Sequence, residues 1–562
     1  MNACSRLQAA AFLLALPVAA QDTARLEGLV VDPMHEPVAN AEIVVEHDGV
    51  ITATTRSDGS GAFLFTKVPA QYVLVRATTD APDIGAELVD LWGEKRGFVT
   101  VRTGPARKVT GVVRDDLGEP VAGAWVLASP DCRDRRAHMH CRAQADAEGH
   151  YELEHVPFGE VLVRAWTDRH DAQAFAGKVD GRTDAALDCV VKRDEAEWCT
   201  FALDGATAEQ LAAAELHVVA RHFGFETPLP PPLARPRQVE PGQWQVNGWT
   251  IADDLHAWLV LPGATTLPCE RVVPVGTGSL SPRLRLGEPE GRIRGTLRDA
   301  DGAPVGGVPL LVQPMSRAPQ INSRRAACVS RPDGTFTIQS PIDYDDRDGR
   351  FALRSMSPEV VLVGNNANAV WFVQAPDPNG EIELEVRPAT TLRLQLVDPR
   401  GAPAPGCLVT LSKAETGGNW VAIGSGISGL DGGVVMRSLR LDPPTSLALV
   451  ARGPSGFGTF ETTLQPGSPS DLGTLELQPA AELRGAVVDR TGAPVAGALV
   501  SVKSMRRGLS PPVLLHADRR GRFAVRALPA GNYWVWSDAG AQGQSIDLDD
   551  GSATEVELTV ES

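Results

Sequence analysis

The chain has 562 residues, with 55 Gly and 43 Pro, and carries a net charge of −17. That charge argues against nucleic-acid backbones and anionic membranes as partners. The length far exceeds one hydrophobic core, and frequent turn residues with almost no helix-periodic stretch point to several all-β domains.

Residues 1–20 read as a cleavable signal peptide. Arg6 is the basic start, Ala9 to Leu16 form an apolar run too short to span a bilayer, and Pro17-Val18-Ala19-Ala20 is a small-residue cleavage site with Gln21 as the mature N-terminus. No Cys follows the apolar run, so a lipid anchor is not expected. No later stretch reaches about 18 apolar residues, so no transmembrane helix is expected either. The end, residues 555–562, alternates like a strand and has neither a hydrophobic tail nor a wall-sorting pattern. The expected address is extracytoplasmic: periplasm, cell surface or medium.

After the signal segment the chain repeats itself. Gly28 opens G-LVV-D-PMHE-P-V-A-N-A, Gly111 opens G-VVR-D-DLGE-P-V-A-G-A, Gly295 opens G-TLR-D-ADGA-P-V-G-G-V, and Gly485 opens G-AVV-D-RTGA-P-V-A-G-A. Leu394 opens a weaker copy, L-QLV-D-PRGA-P-A-P-G-C. Each is a strand, an Asp-to-Gly turn and a Pro-led second strand, since Asp caps turns, Gly tolerates positive φ and Pro at a strand start loses no ladder bond. A second half follows: Asp58…Gly61-Ala62-Phe63, Asp146…Gly149-His150-Tyr151, Asp333-Gly334-Thr335-Phe336, Asp431-Gly432-Gly433-Val434 and Asp518…Gly521-Arg522-Phe523. Three copies continue with a Pro turn and a period-2 strand, as in Val68-Pro69…Tyr72 and Leu528-Pro529…Tyr533.

Copy starts at 28, 111, 295, 394 and 485 leave one gap of 184, about two units long. A degenerate copy therefore belongs between, with residues 199–206 as its first strand and turn, Gly242-Gln243-Trp244 as its Gly-x-aromatic step, and residues 257–261 as the next strand. The expected organisation is about six tandem β-sandwiches: 21–104, 105–194, 195–288 (degenerate), 289–388, 389–479 and 480–562. Linkers are short, which predicts a semi-rigid array of beads on a rod.

The pattern G-x-V-x-D-x-x-G-x-P-V-x-G-A, then D-x-x-G-x-F, then V-P-x-G-x-Y, resembles the carboxypeptidase regulatory-like domain family. Those are small transthyretin-like Greek-key sandwiches, related in fold to Cna-B-type and starch-binding-like modules. The resemblance implies about seven strands per unit and a structural accessory without an activity of its own. The metallopeptidase domain of the family's namesake is absent here.

The motifs that would carry chemistry are missing from the sequence. There is no H-E-x-x-H or H-x-x-E for zinc, no G-x-S-x-G nucleophile elbow, no S-x-x-K and no phosphate-binding Gly loop ahead of a helix. Asp32, Asp115, Asp299, Asp398 and Asp489 recur once per copy at a turn, which marks them as turn residues and not catalysts. The loop Asp343 to Gly349 has calcium-type oxygens, but Arg347 interrupts the alternation, so a solvated acidic loop is the simpler reading. Of the seven Cys that remain after cleavage, an odd number, Cys132 and Cys141 flank His138 and His140 in an insertion. A disulfide closing that hairpin is favoured over a metal site. Lys108 is the only Lys near a first strand, so a Cna-B-like isopeptide crosslink is not expected.

Trp534 and Trp536 alternate with Tyr533 and Val535, so both Trp share the face opposite the core and could stack on sugar rings or pack on a neighbour. The degenerate copy adds Pro228-Leu229-Pro230-Pro231-Pro232 and Trp244, Trp249 and Trp258. Its Pro run is a stiff loop or a recognition segment. Together these features describe an exported, non-enzymatic scaffold or adhesion-type protein with no cofactor and a protein partner at the cell surface. The alternative is a carbohydrate-binding protein acting on extracellular polysaccharide through Trp534 and Trp536.

Overall fold

Alternating apolar and polar residues become strands throughout, because one face of each strand is buried and the other meets solvent or a neighbour. The computed structural model describes residues 23–560 with breaks, the longest at 131–140, 205–214, 229–236, 269–282, 315–325, 340–349 and 365–372. The signal segment lies outside the described residues.

The N-terminal sandwich shows the plan. Its strands are β1 (Thr23–Val31), β2 (Glu42–His47), β3 (Val50–Arg56), β4 (Ala62–Pro69), β5 (Tyr72–Thr78), β6 (Asp83–Asp90) and β7 (Arg96–Arg102). The first strand, β1, is central, antiparallel to β4 and parallel to β7, and this sheet faces the order β3-β2-β5-β6. Leu26, Val30, Ile43, Val45, Phe63 and Val75 fill the space between. The last sandwich repeats it: Ala481–Asp489 lies between Arg522–Leu528 (antiparallel) and Ala553–Val560 (parallel), opposite four strands running from Leu499 to Leu548. The same pairing of a first strand recurs at Arg292–Arg298 and at Thr390–Val397. In the degenerate segment, Trp198–Asp204 likewise pairs antiparallel with Gln243–Asn247 and parallel with Arg283–Arg285. Five separate hydrophobic cores occur among the described residues.

The recurring Gly and the recurring aromatic turn out to be cross-strand partners. Gly28 is paired with Phe63, Gly111 with Tyr151, Gly295 with Phe336 and Gly485 with Phe523. The ring lies over the glycine: a Cβ on Gly28 would sit 2.3 Å from Phe63 Cζ, and one on Gly485 would sit 2.4 Å from Phe523 Cζ. Absence of a side chain on one strand makes room for the buried ring of the next. The weaker copy replaces both members together, pairing Leu394 with Val434.

The recurring prolines each close a bridge to the first strand: Pro37 to Val31, Pro120 to Arg114, Pro304 to Arg298, Pro403 to Val397 and Pro494 to Val488.

Neighbouring copies are joined tightly. Only Thr103 separates β7 from β8 (Gly104–Asp115), and β6 pairs with β8 through Asp83–Pro105 and Ile84–Gly104. One sheet thus runs from the N-terminal sandwich into the second, and Ile84 is buried in the second core. The overall course differs from the rod expected from short linkers. The N-terminal sandwich contacts both the penultimate sandwich (390–476) and the last one (481–560), through Arg96 to Asp431 and Arg526 to Glu36. Short linkers fix neighbours in sequence but do not prevent the chain from turning back. The arginines that hold the return, Arg96, Arg519 and Arg526, are not part of the repeat.

Candidate functional site

The repeated carboxylates are occupied within their own turns. Asp32 Oδ1 accepts from Met34 and Glu36 N–H, both at 2.8 Å. Asp115 accepts from Leu117 and Glu119, Asp299 from Asp301 and Ala303, Asp398 from Arg400 and Ala402, and Asp489 from Thr491 and Ala493, all at 2.8–3.0 Å. One oxygen satisfies two backbone donors that would otherwise be unpaired where the chain reverses. The second set of Asp does the same at Asp58, Asp146 and Asp518. In the penultimate sandwich Gly429 takes the first turn position and Asp431 falls two residues later, which aims its carboxylate outward.

The residues that depart from the repeat meet at the contacts between sandwiches. At the first contact, Glu27 on β1 is fully buried and accepts from Arg25 Nε at 2.6 Å, Arg96 Nη2 at 2.8 Å and the Leu430 amide at 3.0 Å. Arg96 Nη2 also reaches Asp431 Oδ1 at 2.9 Å, so one guanidinium bridges two sandwiches. Desolvation alone would raise the Glu27 carboxyl, but bonds from Arg96 and Leu430 and the two Arg charges hold it below its ordinary value. Phe98 lies beneath Gly406, where a Cβ would come within 3.0 Å of the ring.

At the second contact the last sandwich grips the first two. Ala524 N–H donates to Pro33 O at 3.0 Å. Arg526 donates to His35 O at 3.3 Å, to Glu36 and to Glu482 at 3.1 Å. Arg519 donates to Asp83 at 3.1 Å and to Ala106 O at 3.0 Å, and its guanidinium lies 5.4 Å above the Phe158 ring. A small, shallow cleft between Phe158, Ile84, Gly497 and His516 marks the seam.

Trp534 and Trp536 stand where alternation places them. Tyr533 and Val535 are buried in the core, Trp534 is 39% exposed, and Trp536 is half-buried. Trp534 packs against Gly543, where a Cβ would be 2.5 Å from the indole, and its neighbour Asn532 donates to Ser545 and Asp547 at 2.9 Å. Cys141 is buried, its Sγ 3.1 Å from His155 O, and burial pushes its thiol up to about 12. Cys132, His138 and His140 lie outside the described residues, as do the acidic loop Asp343 to Gly349, most of the Pro run and Trp249. Trp244 is 2% exposed, a core residue of the degenerate copy. Lys108 is half-exposed and pairs with Glu152 at 2.6 Å. Among the described residues no group of three His, Cys, Asp or Glu side chains is placed to hold a metal, and no helix is long and apolar enough to cross a membrane.

The contact residues Arg96, Arg519, Arg526 and His35 were not singled out by sequence reasoning. Their signal is departure from the repeat, as in His35, which stands where four other copies carry Gly118, Gly302, Gly401 and Gly492.

A family model for the carboxypeptidase regulatory-like domain matches residues 482–561. Among solved structures, the minor pilin GBS52 of Streptococcus agalactiae is 12% identical, with 31% of this chain and 95% of that one covered, at a TM-score of 0.20. A streptococcal ancillary pilin is 13% identical (48% and 99% covered, TM-score 0.18), and the Bacillus anthracis TIE protein is 11% identical (72% and 70% covered, TM-score 0.14). Nothing about this chain follows from likeness at those scores. No curated protein matches the chain.

Proposed function

We propose that this chain, which carries a carboxypeptidase regulatory-like domain at residues 482–561, is an exported, non-catalytic scaffold or adhesion-type protein. In this reading residues 1–20 are removed, six sandwiches follow with the boundaries given above, and loops of the assembled sandwiches hold a protein partner at the cell surface. No cofactor is required. The observation that supports it is how the polar residues are used. Those shared by the copies close turns, and those that deviate dock one sandwich on another. Charged groups in this sequence therefore serve a fixed shape, which is what a scaffold needs.

The second reading, binding of extracellular polysaccharide, rests on Trp534. An indole against a glycine, 39% exposed and beside the hydrogen-bonding Asn532, Ser545 and Asp547, suits the apolar face and hydroxyls of a sugar ring.

One experiment separates them. Labelled mature chain is offered to intact cells, protease-treated cells and a polysaccharide panel, beside a Trp534→Ala/Trp536→Ala double variant. Saturable binding that protease treatment removes and the double variant keeps supports a protein partner. Polysaccharide binding that the double variant loses establishes the second reading. Turnover of any substrate in a hydrolase panel overturns both.

A further inference from the structure

We propose that the Asp32–Pro37 turn, with His35 at its apex, is an acid-released latch between the N-terminal and last sandwiches. The inference rests on the contact between sandwiches, whatever the assembled protein binds.

The turn is the same in five copies, and the apex residue has a positive φ in all of them: 85° at Gly118, 81° at Gly302 and Gly401, 83° at Gly492 and 62° at His35. At the four glycines the turn is exposed, and nothing lies within 4 Å of where a Cβ would be. Only in the N-terminal copy is the apex a side-chain residue in the left-handed region, which non-glycine residues seldom occupy. Only there is the turn covered. Pro33 and His35 are buried, His35 at 6% exposure, whereas their counterparts Asp116, Ala300, Pro399 and Arg490 are exposed. The cover is the last sandwich, whose Ala524 amide and Arg526 guanidinium bond the carbonyls of Pro33 and His35. An imidazole in a strained position beneath a partner surface is a departure from the repeat that serves no turn.

Its surroundings admit only the neutral ring. His35 Nε2 is buried with no hydrogen-bond partner. The charges acting on it are Arg102 from β7, Arg526 from Arg522–Leu528 and Glu482 from Ala481–Asp489, and Arg102 in turn faces Glu87 of β6, whose carboxyl burial pushes up to about 7. Burial, then Arg102 and Arg526, depress the ring to about 3, and Glu482 only partly opposes them. Once undocked, the same ring returns toward its ordinary value of 6.5. Between these values the open form binds a proton that the closed form refuses, so closure is favoured above 6.5 and weakens as pH falls. Linkage gives about a thirtyfold shift toward the open form between pH 7.5 and 5.0.

The test is amide hydrogen exchange on the full mature chain at pH 7.5 and 5.0, corrected for intrinsic rates. Probes are the turn 32–37, the segment 522–526 and, as reference, the core strand Leu499–Ser504. Wild type is expected to lose about thirtyfold protection at the first two sites and none in the core strand. His35→Asn and His35→Gly, both tolerant of positive φ, are expected to remove that pH dependence. Equal loss in the core strand, the same loss in both variants, or no loss in wild type would overturn the latch.

Discussion

A carboxylate is an expensive group to place at a turn unless it has donors, and here Asp32, Asp115, Asp299, Asp398 and Asp489 each have two from their own turn. Asp115 is 4% exposed and accepts from Leu117 and Glu119 at 2.9 Å. Asp115→Ala should destabilise the second sandwich by about 1–2 kcal/mol, seen in thermal or denaturant unfolding, and leave partner binding unchanged. Glu27 is a different case, a buried carboxylate between Arg25, Arg96 and the Leu430 amide. Its carboxyl is held below the ordinary 4.5, so its contribution is complete above that value and is lost as pH falls through the depressed one. Glu27→Gln should weaken docking of the penultimate sandwich at neutral pH and flatten that acid limb. Hydrogen exchange at Leu430 N–H, measured on both proteins from pH 7 to 3, checks it.

At the scale of elements, the Gly and aromatic of the repeat are one feature seen from two strands. A Cβ on Gly485 would stand 2.4 Å from Phe523 and 2.7 Å from the Val556 carbonyl. Gly485→Ala should therefore cost about 2 kcal/mol or more, and Gly485→Ala/Phe523→Ala should cost less than the two single changes added, because the second removes the clash of the first. Unfolding of the four proteins measures the coupling. This level was open to sequence reading. Strand period, turn Asp, Pro-led second strand and Gly-x-aromatic are local patterns that recur, and recurrence separates them from noise. Trp534 and Trp536 were legible for the same reason, because alternation assigns faces. His35, Arg96, Arg519 and Arg526 were not. Each acts on a partner hundreds of positions away, as Arg96 does on Asp431, and no local period encodes such a pair.

At the scale of the molecule, the arrangement turns on a few arginines. Arg96 joins the N-terminal to the penultimate sandwich, and Arg519 and Arg526 join the last sandwich to the first two. These pairs are half-exposed and individually weak, so the seam depends on their number and on the packing of Phe98 and Phe158 against Gly406 and Gly497. Arg96→Ala/Arg519→Ala/Arg526→Ala should enlarge the particle in scattering while each sandwich keeps its own stability. The central claim is that the chain turns back so that its ends meet. The most direct test is single-molecule energy transfer between dyes on unnatural amino acids at positions 60 and 491, both on exposed turns. The closed arrangement predicts high transfer in the wild type and loss of it in the triple variant. A rod of sandwiches, each built on strands of about 25 Å, would separate the dyes by on the order of 100 Å. Absence of transfer in the wild type would contradict the closed arrangement.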